Sequence, residues 1–206
     1  SDNQTKGRGQ RNNKWFSKPG HGIVCSFLIN EKFERQDIGM HSILIAVGII
    51  NGIYDLLNID LKIKWPNDIY YQNLKIGGIL IETKIKNDSM FLNIGFGINA
   101  NENTEDFPSD IKGHSTSINI ISRKPVQREL LTAYILNAID KLLMNINSQD
   151  LINQYNDKCI NANQQVSFQL NNKLESGILK GINKKGKAII EWNNKTIEYN
   201  GAIINI

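Results

Sequence analysis

The hydrophobic pattern of this 206-residue chain changes its period several times, and each change predicts an element. The short continuous apolar run at residues 23–29 is typical of a buried strand. At residues 37–57 apolar side chains recur every three or four positions, which predicts a helix packed on a sheet. Four further strands are predicted at residues 61–65, 69–71, 76–85 and 90–98, the last two joined by a turn at residues 86–89. The pattern therefore predicts a mainly antiparallel sheet.

The second half of the chain predicts two more helices and a group of short strands. One helix is expected to open near Pro125, because proline is favoured in a first helical turn. Its apolar stripe, which we interpret as core, is Leu130, Leu131, Tyr134, Ala138, Leu142 and Ile146. A short helix follows at residues 150–158. Strands are predicted at residues 165–170, 174–182, 187–192, 195–199 and 203–206, with turns at Asn171-Asn172, Lys185-Gly186 and Asn193-Asn194. Helices packed on antiparallel strands indicate an α+β fold.

Composition excludes several classes of protein. The chain is 40% hydrophobic and 21% charged, which is ordinary for a globular protein. No apolar run reaches the ~20 residues of a membrane span, and the first residues lack the pattern of a signal peptide. Cys25 and Cys159 lie far apart and form no metal-binding spacing, so we expect reduced thiols and a cytoplasmic protein.

The formal net charge of the chain is +4, and several of its basic residues cluster near the start. The basic residues there are Lys6, Arg8, Arg11, Lys14 and Lys18, interspersed with glycines. Such a cluster suits a triphosphate better than a nucleic acid duplex, and no DNA-binding pattern is present. A solvated basic surface without a specific ligand remains the plainer interpretation.

Five short motifs lie in a fixed order along the first half of the chain. Gln-Thr-Lys-Gly-Arg-Gly-Gln-Arg at residues 4–11 is followed by Lys-Trp at 14–15 and by Lys-Trp-Pro-Asn-Asp at 64–68. Lys-Ile-Gly-Gly starts at residue 75, and Gly-Phe-Gly-Ile-Asn starts at residue 95. Together the motifs resemble those of biotin protein ligases. These enzymes activate biotin with ATP and transfer it to a lysine of a carrier domain.

The resemblance implies a domain organisation. We expect a class II synthetase-like catalytic domain over residues 1–162 and a small SH3-like β-barrel over residues 163–206. Nothing in the sequence corresponds to the N-terminal DNA-binding domain that some family members carry. The family's catalytic domain normally begins with a strand and a Ser-Thr-Asn-like segment ahead of the position of Gln4. Either the sequence is trimmed there or the pocket is incomplete, and we expect trimming.

The resemblance also implies roles for individual residues. Lys75, Arg8 and Asp68 correspond to catalytic positions, with Lys75 at biotin and the α-phosphate and Asp68 orienting the carrier lysine or supporting a cationic neighbour. The biotin-binding positions are Gln4, Arg8, Gly9, Gln10, Lys75, Gly78, Gly95 and Gly97, and the ATP-binding positions are Arg11, Trp15, Asn67 and Asn99. A carboxylate that attacks a phosphate needs cations and Mg²⁺ to offset repulsion. The sequence assigns no ligands to that metal.

The loop at residues 7–9 is expected to fold over biotin and its adenylate, since glycines let backbone N–H groups approach an anion. The family often has arginine at the positions of Gln10 and Asn13. Two cations are therefore missing from this loop, and the resemblance leaves open how Arg11 and Lys14 share the task of retaining the intermediate.

The activity implied is that of an ATP-dependent ligase, which forms biotinyl-5'-adenylate, releases pyrophosphate and biotinylates the carrier domain of a carboxylase. Two alternatives stay open: a lipoate or octanoate ligase or transferase of related fold, and a non-catalytic binding module. The Lys-Trp-Pro-Asn-Asp and Gly-Arg-Gly motifs favour the biotin branch. The sequence allows a homodimer without fixing the oligomeric state.

Overall fold

A computed structural model describes residues 1–10, 13–30, 38–86, 89–145, 147–201 and 203–204. The fold is α+β, as predicted, with two antiparallel sheets. The first sheet has the order β1-β5-β4-β3-β2. Its strands are β1 (Ile23–Asn30), β2 (Lys62–Lys64), β3 (Asp68–Tyr71), β4 (Leu74–Lys86) and β5 (Ser89–Ile98). The predicted turn between the last two strands includes Asn87 and Asp88, which lie outside the described residues.

The second sheet has the order β10-β6-β7-β8-β9. Its strands are β6 (Gln165–Leu170), β7 (Lys173–Ile182), β8 (Ala188–Trp192), β9 (Lys195–Tyr199) and β10 (Ile203–Ile204). The predicted asparagine turns are confirmed, because Asn171, Asn172, Asn193 and Asn194 all have positive φ, at 50°, 63°, 49° and 59°. Paired positive φ values match the twist of two-residue hairpin turns. Within the described ranges β9 and β10 do not pair, so the strand order alone does not close a barrel.

Over the residues that the structure describes, four α-helices accompany the sheets: α1 (Ile38–Leu57), α2 (Ile118–Ser122), α3 (Arg128–Asn145) and α4 (Ser148–Lys158). By length and composition α1 could cross a membrane, contrary to the expectation that no apolar segment is long enough. A buried core helix passes the same test, and Ile45, Ile49 and Ile53 of α1 are fully buried. A Cβ on Gly48 would lie 3.0 Å from Cα of Ile139 in α3. Glycine thus lets the two helices pack closely.

The second half of the chain departs from the expectations at three points. The helix expected near Pro125 begins at Arg128, and Leu130 and Tyr134 are 44% and 39% exposed instead of core. The buried stripe of α3 is Leu131, Ile135, Ala138 and Ile139. Helix α2 was not predicted, although Ser117 gives a helix-start signal. Its hydroxyl accepts a hydrogen bond from the N–H of Ile120 at 3.1 Å, as an N-cap does. Ile146 lies outside the described residues.

The side chain of Trp65 links the first sheet to the second. Its side chain is 4% exposed, and its indole Nε1 donates to the carbonyl of Gly186 in the β7–β8 turn at 3.3 Å. Its backbone N–H donates to Oδ1 of the buried Asn161 at 3.4 Å. The second sheet therefore supports the segment that leads directly into Asn67 and Asp68.

Candidate functional site

A cavity of about 290 Å³ lies on one face of the first sheet. It brings together most of the site residues predicted from the sequence: Gln4, Arg8, Gly9, Trp15, Asn67, Asp68, Lys75, Gly78, Gly95 and Gly97. They come from the N-terminal segment and from the strands β3, β4 and β5 or the turns beside them. Motifs that are up to ninety residues apart in sequence thus share one concave surface.

An ion pair between Lys75 and Asp68 forms one end of this cavity. Lys75 Nζ lies 2.6 Å from Oδ1 of Asp68, and the two side chains are 33% and 26% exposed. Asp68 opens β3, opposite Gly78 of β4. The backbone of Lys75 is fixed by hydrogen bonds from its N–H to His114 and from the N–H of Thr116 to its carbonyl, at 2.8 and 2.9 Å. A cation and a carboxylate are therefore held together where a ligand can reach both.

Glycines in the central strands keep the cavity open. A Cβ on Gly78 would lie 3.4 Å from Oδ1 of Asp68 and 3.6 Å from Nζ of Lys75. The nearest atom to a Cβ on Gly95 would be Ser26 Oγ at 3.5 Å, an ordinary contact. At Gly97 a Cβ would instead overlap the indole of Trp15, which packs on this glycine. Neighbouring protein atoms thus require glycine at 97, whereas at 78 and 95 they leave room for a ligand.

Residues 7–9 and 13–15 cover one side of the cavity. The N–H of Gly9 donates to the carbonyl of Asn13 at 2.7 Å, and the N–H of Trp15 donates to Gly7 at 3.0 Å. Arg8 extends from the loop to Glu82 of β4, with Nη2 3.3 Å from the carboxylate. The loop is therefore closed on itself and tied to the sheet through Arg8.

Two predicted site residues, Asn99 and Gln10, do not line the cavity. Asn99 is 6% exposed and donates its amide to the carbonyl of Thr116 at 2.9 Å. Gln10 instead lines a separate cavity of about 410 Å³ beside Trp65 and Pro66. Arg11 lies outside the described residues. Asn67 does line the cavity, but its amide already donates to the carbonyl of Ile79 at 2.7 Å, so it shapes the turn before Asp68.

The sequence did not identify several other residues that line the cavity, namely Lys6, Val24, Cys25, Ser26, Ile79, Leu80, Glu82, Asn93 and Phe96. The strand register could have found some of them, since Ser26 is opposite Gly95 in β1 and β5. Burial raises the pKa of the Cys25 thiol, which favours its protonated form. Over the described ranges, no group of three or more His, Cys, Asp or Glu side chains could hold a metal ion.

A larger cavity of about 740 Å³ adjoins the first. The two share Gln4, Lys6, Arg8 and Trp15, and the larger one adds Lys14, Phe16, Pro108, Asp110 and Ile111, among others. Aromatic faces beside lysines and an arginine suit a ligand that combines a flat ring with phosphates. Taken together, the cavities can bind a small organic acid next to such a ligand.

Comparisons with known proteins agree with this arrangement. The model of the biotin/lipoate A/B protein ligase family matches residues 1–99. The bifunctional ligase/repressor BirA of Bacillus spizizenii is 34% identical over 142 residues, which are 68% of this chain and 44% of that protein. The biotin--protein ligase of Homo sapiens is 29% identical over 68% of this chain and 20% of its own length. The chain thus spans less than half the length of these two relatives.

Among solved structures, the biotin protein ligase from Aquifex aeolicus in complex with biotin and ATP superimposes with a TM-score of 0.84. It is 27% identical, and the match covers 98% of this chain and 85% of that one. The likeness therefore extends through both sheets and beyond the segment that the family model matches. With its motifs gathered on one cavity and its fold shared almost end to end, the chain belongs to the biotin protein ligase family.

Proposed function

We propose that the protein is an ATP-dependent biotin ligase. It forms biotinyl-5'-adenylate from biotin and ATP, releases pyrophosphate and transfers biotin to a lysine in the biotin carrier domain of a carboxylase. The observation that carries the proposal is the Lys75–Asp68 pair facing a cavity that Gly78 and Gly95 keep open. The Aquifex aeolicus relative with biotin and ATP supports it by fold and sequence.

Biotin would occupy the smaller cavity. Gln4 supplies an amide with both donor and acceptor groups for the ureido ring, and Gly95 leaves space for the ring system beside Ser26. The biotin carboxylate would then lie toward Lys75. Because the ammonium of Lys75 is a compact point charge, it can hold this carboxylate near the α-phosphate and stabilise the negative charge that develops during attack.

ATP would occupy the larger cavity, with its adenine against Trp15 or Phe16 and its phosphates toward Lys6, Arg8 and Lys14. Mg²⁺ usually binds through substrate phosphates and one or two carboxylates. Asp110, which lines this cavity, fits that need, and the metal would supply charge neutralisation on the triphosphate. The protein contributes the cations and the exclusion of water by residues 7–9 and 13–15.

Asp68 would serve the second half-reaction. The acceptor lysine arrives as an ammonium and must lose a proton before it attacks the acyl carbon of the adenylate. The Asp68 carboxylate is placed to bind that ammonium and accept its proton, while Lys75 stays with the phosphate that leaves as AMP. The two residues that form an ion pair in the ligand-free protein would thus act separately in the reaction, Lys75 on the phosphate and Asp68 on the acceptor lysine.

We also propose the two-domain organisation, with a class II synthetase-like catalytic domain at residues 1–162 and an SH3-like barrel at residues 163–206. The hydrogen bond from Trp65 to Gly186 supports a role for the second domain in holding the segment before Asp68. A cytoplasmic location accords with two free cysteines, one of which, Cys159, is buried with a pKa of about 11.

The deciding experiment is ATP–pyrophosphate exchange with biotin, lipoate or octanoate as the acid. We expect exchange that depends on biotin. A site built to hydrogen-bond its substrate rejects an analogue without those groups by up to about 10⁴–10⁵, so exchange on lipoate or octanoate should be negligible. Exchange that prefers lipoate would establish the lipoate alternative. Salt-sensitive binding of oligonucleotides without any exchange would establish the binding module.

A further inference from the structure

Glu82 places a carboxylate at the rim of the smaller cavity, where the proposed chemistry gives it no task. Side chains alternate along a strand, so Gly78, Leu80 and Glu82 share the face of β4 that lines the cavity. Four residues of strand span about 13 Å. Glu82 therefore lies at the opposite end of the cavity from the Lys75–Asp68 pair, and it faces Asn93 in the adjacent strand β5.

The contacts of Glu82 are made with Arg8 and Asn93. Nη2 of Arg8 lies 3.3 Å from both carboxylate oxygens, and Nδ2 of Asn93 donates to Oε2 at 3.4 Å. Arginine has five N–H donors, and this contact uses only its Nη2 end. The Nε and Nη1 donors remain available to a ligand while Glu82 holds the guanidinium in place.

The charges that line the smaller cavity indicate that Glu82 does not serve to increase the affinity for an anionic ligand. The cations at the smaller cavity are Lys6, Arg8 and Lys75, and the carboxylates are Asp68 and Glu82. A second carboxylate repels a ligand that carries a carboxylate or phosphate. A neutral side chain at position 82 would bind such a ligand better if affinity alone mattered. The contribution of Glu82 must therefore come from what it does to Arg8.

We propose that Glu82 is a positioning residue: with Asn93 it holds Arg8 across the mouth of the cavity, so that the loop at residues 7–9 lies over the site before a substrate arrives. The inference rests on the proposed function for its kinetic consequence. Its structural consequence is independent of that function, because the anchor joins loop and sheet whether or not the protein is a ligase.

The kinetic test is a double-mutant cycle on biotin-dependent ATP–pyrophosphate exchange, with wild type, Glu82→Gln, Arg8→Ala and the double variant. The ion pair between Glu82 and Arg8 is exposed and therefore weak, so we expect Glu82→Gln to lower kcat about three- to fivefold in the wild-type background. In the Arg8→Ala background it should have no further effect, since the residue it acts through is gone. Glu191→Gln is the matched control, because Glu191 forms a comparable exposed pair with Lys180 at 3.6 Å in the second sheet.

The structural test is amide hydrogen exchange of residues 7–9 and 13–15 without any substrate. We expect faster exchange in Glu82→Gln than in wild type and no change in Glu191→Gln. Unchanged exchange in Glu82→Gln would overturn the proposal, as would an equal loss of rate in both arginine backgrounds. If wild type shows no biotin-dependent turnover, the proposed function fails, and the amide measurement still decides the role of Glu82.

Discussion

The two sheets use glycine differently, although each has five antiparallel strands. In the second sheet a Cβ on Gly177 would lie 2.7 Å from the carbonyl of Glu191, and Gly181 has a φ of 132°. Packing and backbone conformation therefore require glycine there. In the first sheet packing also requires glycine at Gly77 and Gly97, but Gly78 and Gly95 would meet only ordinary contacts of 3.4 and 3.5 Å. Glycine weakens a strand interior, so a glycine that its neighbours do not require indicates a surface kept clear for a ligand.

Buried polar side chains show the same contrast. Over the part of the chain that the structure describes, Ser167 is the buried polar residue of the second sheet. The others all precede it: His41, Asn67, Asn99, Glu102, Thr116, Ser117 and Asn161. Buried polar groups are costly unless they are hydrogen-bonded, and Asn67 and Asn99 use theirs to fix turns beside the cavity. In the first region, therefore, two of the buried polar side chains shape the backbone at the ends of strands, and one of them, Asn67, lines the cavity.

The largest effect that we expect comes from removing the charge of Lys75, and it tests the difference between the first sheet and the second. If Lys75 stabilises the developing charge at the α-phosphate, Lys75→Ala should slow adenylation by a factor on the order of 10²–10³. Lys180→Ala, which removes an exposed lysine of the second sheet, should leave the rate unchanged. Pyrophosphate exchange measures the rate, and circular dichroism checks the fold. A Lys75→Ala rate within a factor of two of wild type would remove the residue from the mechanism.

A pair of glycine substitutions should separate ligand space from packing space. Gly95→Ala adds a methyl group that the protein accommodates, so its free energy of unfolding should change little, while biotin affinity falls about 10- to 100-fold. Gly177→Ala forces a Cβ onto the carbonyl of Glu191 and should lower the free energy of unfolding by roughly 1–3 kcal/mol.

Urea unfolding and biotin titration calorimetry measure the two quantities on each variant. The contrast between the sheets breaks down if Gly95→Ala is the less stable variant, or if its biotin affinity equals that of wild type. Gly177→Ala should keep normal biotin affinity under conditions where it is folded.

A third test concerns Glu102, which is fully buried and whose carboxylate oxygens have no hydrogen-bond partner among the described residues. Burial is the main cause that raises its pKa, the nearby Asp106 carboxylate adds to it, and His21 acts in the opposite direction without cancelling the effect of burial. The folded state therefore binds the proton more tightly than the unfolded chain. The stability that this group contributes is full below the unfolded value of about 4.3 and is lost as pH rises through the folded pKa.

Glu102→Gln keeps the shape without the titrating charge. The difference in free energy of unfolding between variant and wild type should therefore shift in favour of Glu102→Gln as pH rises from 4 to 8. Parallel curves for Glu102→Gln would mean that Glu102 titrates normally in the folded protein.

The elements also differ in how well they could be predicted from the sequence. Strands with turn residues or long apolar runs were located to within a few residues, since local chemistry sets their bounds. Helix α2 was missed, because five residues capped by Ser117 carry little periodic signal. The error at Leu130 and Tyr134 arose because a helix in contact with α1 is buried over a stripe that only the partner helix defines.

At the site, the resemblance of the motifs to those of biotin protein ligases named residues that meet at the cavity, including Gln4, Asp68, Lys75 and Gly95. It did not identify Glu82, whose relation to Arg8 depends on how the loop crosses β4. It also could not separate Asn67, which lines the cavity, from Asn99, which does not, because the two look alike in sequence. Those distinctions depend on register and burial, which belong to the folded chain.

The smallest effect we expect lies in the second sheet, at the β6–β7 turn. Asn172 has a φ of 63°, a left-handed conformation that costs an L-residue with a plain Cβ roughly 1–2 kcal/mol and asparagine less. Asn172→Ala should therefore lower the free energy of unfolding by about 1 kcal/mol, which corresponds to about 2–4 °C in Tm for a chain of this size. Asn172→Gly should be neutral or slightly stabilising, since glycine adopts positive φ without a steric penalty. Both variants should exchange pyrophosphate at the wild-type rate, because the turn does not line the cavity. A rate that falls together with Tm would show that the second sheet contributes to catalysis. The distinction between a first sheet that forms the site and a second sheet that only supports it would then be wrong.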